Sequence, residues 1–434
     1  MKSKIAVFVT SLLIAATSGA QETRNLSVGR ATADAAAVPT LSVESNPQLP
    51  PTVADVVLLL KSYAPDTAKT ERLRAEFRKP VIETGSPFDL AQLWHRKSTV
   101  ADELSETQAR YDMLNKALIY AQQSAGSSSL DEIGSLIRVR QDLAIATARL
   151  MGLGAGVDAL EKFREDFSAK AGGATIGPGA ALTNLYLAMG DTDQAKKTLT
   201  NINSIANNLR TRPAAASYAS TWTTFIEEAQ GSVHLAQGKN EDAVRSFLAA
   251  ERMSLQMVED SARNRAAGRY GLQQDRVEGS RDNVRINLAR AYIESQRFNE
   301  AELLLRDVLK TSLKREGRNS RLVGTALANL SRIYAERGRN AEALALAQWA
   351  DRTMEEAGLT TISLPRINTR RGVANLYAST GRFEQAASIF DDLKRIAAAD
   401  ARSGEEVNIA SLGVDFHPKL TPFFHRKLTP PIAV

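Results

Sequence analysis

The amino-acid sequence predicts an all-α solenoid of antiparallel helix hairpins, and three observations predict it. From residue 53 to about residue 400, apolar side chains return at three- and four-residue spacing, the period of an amphipathic helix. Runs of β-branched residues alternating with polar ones, the mark of half-buried strands, are absent. A fixed set of residue types also recurs every forty-odd residues, and recurrence at such a period marks a stack of like supersecondary units.

The elements follow in order. Residues 1–20 read as a signal peptide: Lys2 and Lys4 precede an apolar run over 5–16, and Ser18 and Ala20 are the small residues before a cut at Gln21. The run is well short of the ~20 apolar residues that span a bilayer, so no membrane insertion is expected after cleavage. The mature chain is expected to be periplasmic or secreted. Residues 21–52 are mostly Ala, Ser, Thr, Asn and Pro with few large apolar residues, which predicts a flexible leader. Residues 53–84 form an N-terminal helical segment, 85–400 the solenoid, and 401–434 an irregular tail. That tail carries a short duplication, His417-Pro418-Lys419-Leu420-Thr421-Pro422 against His425-Arg426-Lys427-Leu428-Thr429-Pro430, whose prolines forbid a continuing helix.

Composition narrows the function. A chain of 434 residues with 43% hydrophobic and 24% charged residues is neither disordered nor a polytopic membrane protein. Zero cysteines exclude disulfides, cysteine-ligated zinc, iron–sulfur clusters and a cysteine nucleophile. Four histidines leave little for catalysis. The net charge of +6 drops by two when Lys2 and Lys4 leave, and the surplus is too evenly spread for a nucleic-acid partner.

The repeats are clearest over 283–400. Asn287-Leu288-Ala289-Arg290-Ala291-Tyr292, then Gln296, Phe298, Ala301 and Leu305, returns as Asn329-Leu330-Ser331-Arg332-Ile333-Tyr334, then Gly338, Ala343 and Ala347. It returns again as Val373, Ala374, Tyr377, Gly381, Ala386 and Phe390. Weaker units run through Leu182, Tyr186, Gly190, Ala195 and Leu199, and through Gly231, His234, Gly238, Ala243 and Phe247. Two more degenerate units lie around Gly154 and Phe163 and around Ala101 and Leu114, for about seven in all.

This pattern resembles the tetratricopeptide repeat family, with its Leu-small-x-x-Tyr, turn glycine and Ala-x-x-x-Phe on two helices. The tyrosines stand 42 and 43 residues apart, longer than the usual ~34, as in the long-repeat subgroup similar to kinesin light chains. The resemblance implies a tetratricopeptide-repeat solenoid. The small residue of the first helix and the alanine of the second let two backbones approach, while tyrosine fills the gap to the next hairpin. Tyr292, Tyr334 and Tyr377 are therefore core residues, and His234, at the tyrosine position of its unit, is a half-buried packing residue. His95 has no acidic neighbour at metal-ligand spacing in the sequence, so no metal site is expected. The glycine-rich stretch 172–179 lacks the Lys-Ser or Lys-Thr of a phosphate loop and reads as a linker between repeats. Arg263, Arg265, Arg269, Arg276 and Arg281, with Tyr270, form either a basic lobe for an acidic partner or a solvated helix extension, since Asp275, Glu278 and Asp282 lie among them.

In this family the positions just before the motif leucine and two after it face the concave surface. Here they carry Asn287 with Arg290 and Asn329 with Arg332, and Asn375 takes the later position in the next unit. A side-chain amide both donates and accepts, so such a row can hold an extended peptide backbone, and arginines favour carboxylates. The other reading is that the asparagines tie neighbouring helices together.

The order of signal, leader, a divergent hairpin with Phe88-Asp89-Leu90-Ala91 and Trp94-His95-Arg96, and long repeats is similar to the amino-terminal half of bacterial proteins that fuse such repeats to a caspase-like CHAT domain. That resemblance implies the sensing portion of a protease whose catalytic domain this chain lacks. The leading expectation is a non-catalytic scaffold, without cofactor or metal, that binds a protein or peptide on its concave face.

Overall fold

The computed structural model describes residues 52–65, 67–124, 130–267 and 274–400. The signal and leader over 1–51, the tail over 401–434, and Arg269 and Tyr270 lie outside the described residues. Among the described residues there are sixteen α-helices and no strand. Two come first, α1 (Val53–Ser62) and α2 (Ala68–Arg78). The other fourteen form seven hairpins. These are α3 (Pro87–Glu103) with α4 (Thr107–Ser124), α5 (Leu130–Leu150) with α6 (Leu153–Ala171), α7 (Ile176–Ala188) with α8 (Thr192–Arg210) and α9 (Ala219–Ala236) with α10 (Asn240–Ala266). Then follow α11 (Gln274–Glu294) with α12 (Phe298–Glu316), α13 (Arg321–Glu336) with α14 (Asn340–Glu356) and α15 (Leu364–Ser379) with α16 (Phe383–Asp400). Helices 16 to 21 residues long in the fifth and sixth hairpins account for the long repeat period.

The third, fifth, sixth and seventh hairpins pack at small residues. Thr183, Ala289, Ser331 and Ala374 on the first helices and Ala195, Ala301, Ala343 and Ala386 on the second are buried, so the two backbones approach closely. Tyr334 is wholly buried and Tyr292 nearly so, as the motif requires. Tyr377 is half-buried, as is His234, whose Nε2 lies 2.9 Å from Gln230 Nε2.

The turns share one hydrogen bond. At the end of the first helix the carbonyl of the motif residue accepts from the amide five positions on. Asp191 N reaches Tyr186 O at 2.8 Å, Arg297 N reaches Tyr292 O at 2.8 Å, and Lys239, Arg339 and Arg382 do the same to His234, Tyr334 and Tyr377. This satisfies a carbonyl the helix leaves orphaned, and it needs a left-handed residue between. Gly190, Gly238, Gly338 and Gly381 fill that place at φ +83°, +69°, +75° and +79°. Gln296 holds it in the fifth hairpin at φ +58°. The next residue stacks its guanidinium on the tyrosine: Arg297 lies 4.4 Å from the Tyr292 ring centroid, Arg339 4.5 Å from that of Tyr334, and Arg382 5.6 Å from that of Tyr377.

The glycine-rich stretch 172–179 departs from its expected role as a linker. Only Gly172–Thr175 form a 3₁₀ turn, and Gly177, Pro178 and Gly179 belong to α7. Pro178 sits in the first helical turn, where a missing N–H costs nothing. Gly179 lies so close to Ile202 of α8 that a Cβ would clash with the isoleucine methyl, so this glycine serves helix contact.

The amino-terminal pair clasps the solenoid across a long sequence distance. Val53, Val56 and Leu60 of α1 are buried in one core with Leu309, Leu313 and Leu327 of the fifth and sixth hairpins. After α1 the chain pairs its backbone with the α12–α13 loop: Arg318 N donates to Ala64 O and Asn319 N to Pro65 O, both at 3.0 Å. Gly317, at φ +88°, has space for no Cβ, which would lie 2.6 Å from Pro65 O. Helix α2 then returns to the first hairpin. Buried Lys97 of α3 donates to the carbonyls of Glu76, Phe77 and Lys79 at 2.7, 2.7 and 2.8 Å, capping the carboxyl end of α2. The first and sixth hairpins also meet, with Gly358 so near Ser105 that a Cβ would lie 3.0 Å from its carbonyl oxygen. The seven hairpins therefore curl far enough for their two ends to be tied.

Two outcomes follow from these turns. Gln296→Gly relieves a left-handed glutamine, and chemical denaturation should show a gain of about 1 kcal/mol. Gly317→Val should cost about 2 kcal/mol or more, and hydrogen exchange should show residues 53–79 losing protection ahead of the hairpins.

Candidate functional site

The curl encloses a cavity of about 1860 Å³, walled by the first helix of most hairpins and by one side of α2. Wall residues recur at three- and four-residue steps. On α9 they are Thr221, Phe225, Glu228, Ser232 and Leu235, and on α11 Arg276, Ser280, Asn283, Asn287, Arg290 and Glu294. Each set is therefore one face of its helix. The faces differ in chemistry along the solenoid. Ile137 and Ile145 of α5, Leu185 of α7 and Trp222 and Phe225 of α9 make an apolar arc, extended by Tyr218, whose ring stacks on Trp222 at 6.1 Å. Beyond α9 along the solenoid, α11 and α15 present Asn283, Asn287, Arg290, Asn368 and Arg371, and α2 adds Lys69 and Arg74.

The five residues singled out by the repeat pattern fall in different places. Asn287 and Arg290 stand together on the wall: Arg290 Nη1 donates to Asn287 Oδ1 at 3.3 Å, and Asn287 Nδ2 donates to Glu228 Oε1 at 2.8 Å. Asn287 thus both faces the cavity and ties α11 to α9. Asn329 is buried, and its Nδ2 donates to Thr325 O at 2.9 Å within its own helix. Arg332 pairs with Glu294 at 2.6 Å, just behind the wall. Asn375 is exposed and lies off the wall. The asparagine row is broken because the sixth hairpin turns its amide into helix packing.

Two charged groups on the wall were not apparent in the sequence. Asp102 Oδ1 accepts from Arg110 Nη1 and Arg149 Nη1, both at 2.6 Å, and its Oδ2 lies 3.9 Å from Arg276. Burial pushes this carboxyl up, but Arg149, Arg110, Arg276 and Arg321 together hold it below the usual range. Burial likewise brings the Arg110 guanidinium down to about 10 against the pull of Asp102. His95, without an acidic neighbour in sequence, has one in space, with Nε2 2.7 Å from Asp142 Oδ2. Of the basic lobe, Arg276 reaches the wall, whereas Arg263 and Arg281 pair with Asp260 and Glu251. The second group is Glu228, whose carboxyl burial pushes up to about 7, against the Asn287 hydrogen bond and the charge of Arg321. The only sequence signal for Glu228 was an acidic residue one helical turn from Phe225 on a face otherwise without charge. Arg290 is open to the cavity yet ringed by protein, and desolvation, with the like charges of Arg332 and Arg371, lowers it to about 10.

Among the described residues no three His, Cys, Asp or Glu side chains are placed to hold a metal, and no helix is long and apolar enough to cross a membrane.

Residues 283–321 and 323–348 match the tetratricopeptide repeat profile. These hairpins are tetratricopeptide repeats. No curated protein matches the chain. Among solved structures, the quorum sensor NprR from B. thuringiensis, in its apo form, is 14% identical over 76% of this chain and 80% of its own, with a TM-score of 0.46. NprR in complex with its cognate peptide NprX is 14% identical over 76% of this chain and 89% of its own, with a TM-score of 0.47. Kinesin-light-chain-like tetratricopeptide repeats from Podosopora anserina are 18% identical over 52% of this chain and 95% of their own, with a TM-score of 0.31.

The raised Glu228 carboxyl makes folding stability depend on pH. Its folded pKa of about 7 lies above the ordinary 4.5, so ionising it costs folding energy. The cost is absent below about pH 4.5, grows as pH rises to 7, and is constant above. Glu228→Gln keeps an acceptor for Asn287 and should stabilise the repeats by about 1–3 kcal/mol at pH 8 and by nothing at pH 4, measured by urea denaturation at both pH values.

Proposed function

We propose that this tetratricopeptide repeat chain is an exported, non-catalytic scaffold that binds an extended peptide or protein segment in its concave cavity. The signal-like first twenty residues motivate export. The cavity wall carries the binding assignment. At about 1860 Å³ the space exceeds the ~300–1,000 Å³ typical of small-molecule pockets. Its wall carries Trp222, Phe225 and Leu185 on α9 and α7 and Asn287, Arg290 and Asn368 on α11 and α15, so apolar side chains and a polar backbone both find partners. No nucleophile, metal cluster or cofactor motif enters this reading. The wall offers contact and orientation, which is what a scaffold supplies.

The test uses the chain from Gln21 onward and an immobilised random peptide library. Peptides it selects should bind Asn287→Ala/Arg290→Ala about 10–100-fold more weakly, because a charge-assisted hydrogen bond contributes about 1.5–3 kcal/mol. Circular dichroism should be unchanged. Equal affinity for the variant and the parent chain would remove the cavity as the binding site.

A further inference from the structure

Alone among the sixteen described helices, α2 has no buried residue. It is nonetheless part of the cavity wall, turning Lys69, Thr70, Leu73 and Arg74 inward at the spacing of one helix face. Its neighbours on the two sides are far apart in the chain. On one side Lys69 Nζ lies 3.1 Å from Glu103 Oε2 and Arg74 Nη1 3.9 Å from Glu106 Oε1, both of the first hairpin. On the other, Thr70 Oγ1 donates to Glu316 O at 3.3 Å, at the carboxyl end of α12. Helix α2 is therefore a stave set between the first hairpin and the junction of the fifth with the sixth.

What holds the stave is mostly polar. Partly exposed ion pairs contribute little, because water screens them and two long side chains must be ordered to form them. The carboxyl end hangs on Lys97, whose single ammonium serves three carbonyls. With 11 residues α2 is also shorter than the ~12–15 below which a helix without packing is marginal in water.

The flanking segments differ. Helix α1 is fixed by Val53, Val56 and Leu60 in the core, and the chain after it by the pairing of Ala64 and Pro65 with Arg318 and Asn319. Beyond α2, residues 80–86 are mostly exposed and touch the first hairpin at Glu83, which accepts from Tyr120 Oη at 2.7 Å. At ~3.3 Å per residue that segment can reach about 23 Å. One side of α2 is thus a hinge and the other has slack. Local opening starts where burial is least, and on this wall that place is α2.

We propose that α2 is the gate of the cavity: it swings away from the first hairpin to admit the ligand and closes over it, hinged where residues 64–65 meet the α12–α13 loop. This rests on the concave-face reading above and adds how the site is entered and held shut. The hairpins beside the gate part less readily, since their own cores are buried and Gly358 packs against Ser105.

Two measurements test it, and a chain without cysteine makes both specific. In the first, Ser232→Cys places one thiol on the cavity wall, and maleimides of two sizes are timed against it. Lys97→Met/Thr70→Val loosens both ends of α2. It should speed reaction with a maleimide on a bulky polyethylene glycol about tenfold and leave reaction with N-ethylmaleimide unchanged. In the second, the thiols of Lys69→Cys/Glu103→Cys are joined by a short bis-maleimide. A fluorescent peptide selected from the random library should then associate about tenfold more slowly than with the same variant unjoined, and about tenfold faster with Lys97→Met/Thr70→Val than with the parent chain. Hydrogen exchange should show residues 68–78 opening ahead of α1, and the peptide protecting them. Circular dichroism checks that each variant is folded. Equal rates for the bulky reagent and for the peptide, whether α2 is joined, intact or loosened, would overturn the gate and leave the concave-face reading in place. If no library peptide binds, that reading falls, and the maleimide rates alone decide whether α2 gates the cavity.

Discussion

Every larger feature of this molecule depends on the close crossing of two helices within a hairpin. Where the first helix offers Ala289, Ser331 or Ala374 and the second offers Ala301, Ala343 or Ala386, backbones come near enough for the tyrosine and the next apolar residue to reach the neighbouring hairpin. A bulkier residue at either place would hold the helices apart and take the following hairpin out of register. Because the same crossing is repeated, most of the first helices turn one face inward, and their three- and four-residue stripes form the wall.

The wall's chemistry is graded along the chain. Hairpins two to four contribute isoleucine, leucine and aromatic side chains, while the fifth and seventh contribute asparagine and arginine. The arginines sit where water is scarce, and Asp102 and Glu294 lie among them. Buried charge of this kind is costly unless partnered, and it is retained here at the surface most suited to a ligand.

The fold was largely legible in the sequence because a repeat is a local pattern stated several times. Gly190, Gly338 and Gly381 announce their turns, and the alanines announce their crossings. The stretch 172–179 misled because glycine and proline, read locally, mean a loop, whereas Gly179 is required by Ile202, a residue that only the folded hairpin brings near. The wall was legible in part. Asn287 and Arg290 followed from the motif register, but the same register placed Asn329, which spends its amide on Thr325, and Asn375, which lies off the wall. The Asp102 cluster could not be read at all. Its arginines come from positions 110, 149, 276 and 321, and only the curl of the whole solenoid assembles them.

That curl is fixed by a clasp whose halves lie far apart in the chain, with Thr67 and Arg315 in contact across 248 residues. A ribosome adding ~5–20 residues per second takes roughly 12–50 s to deliver the second half after the first. Hairpins that need only their neighbours can form as they emerge, yet Val53, Val56 and Leu60 must wait with their apolar face uncovered until the fifth and sixth hairpins exist. The first helix made is therefore among the last to be buried. During synthesis a chaperone that covers short apolar helices has its best opportunity there, and the open, unclasped solenoid is an obligatory stage in the life of each molecule.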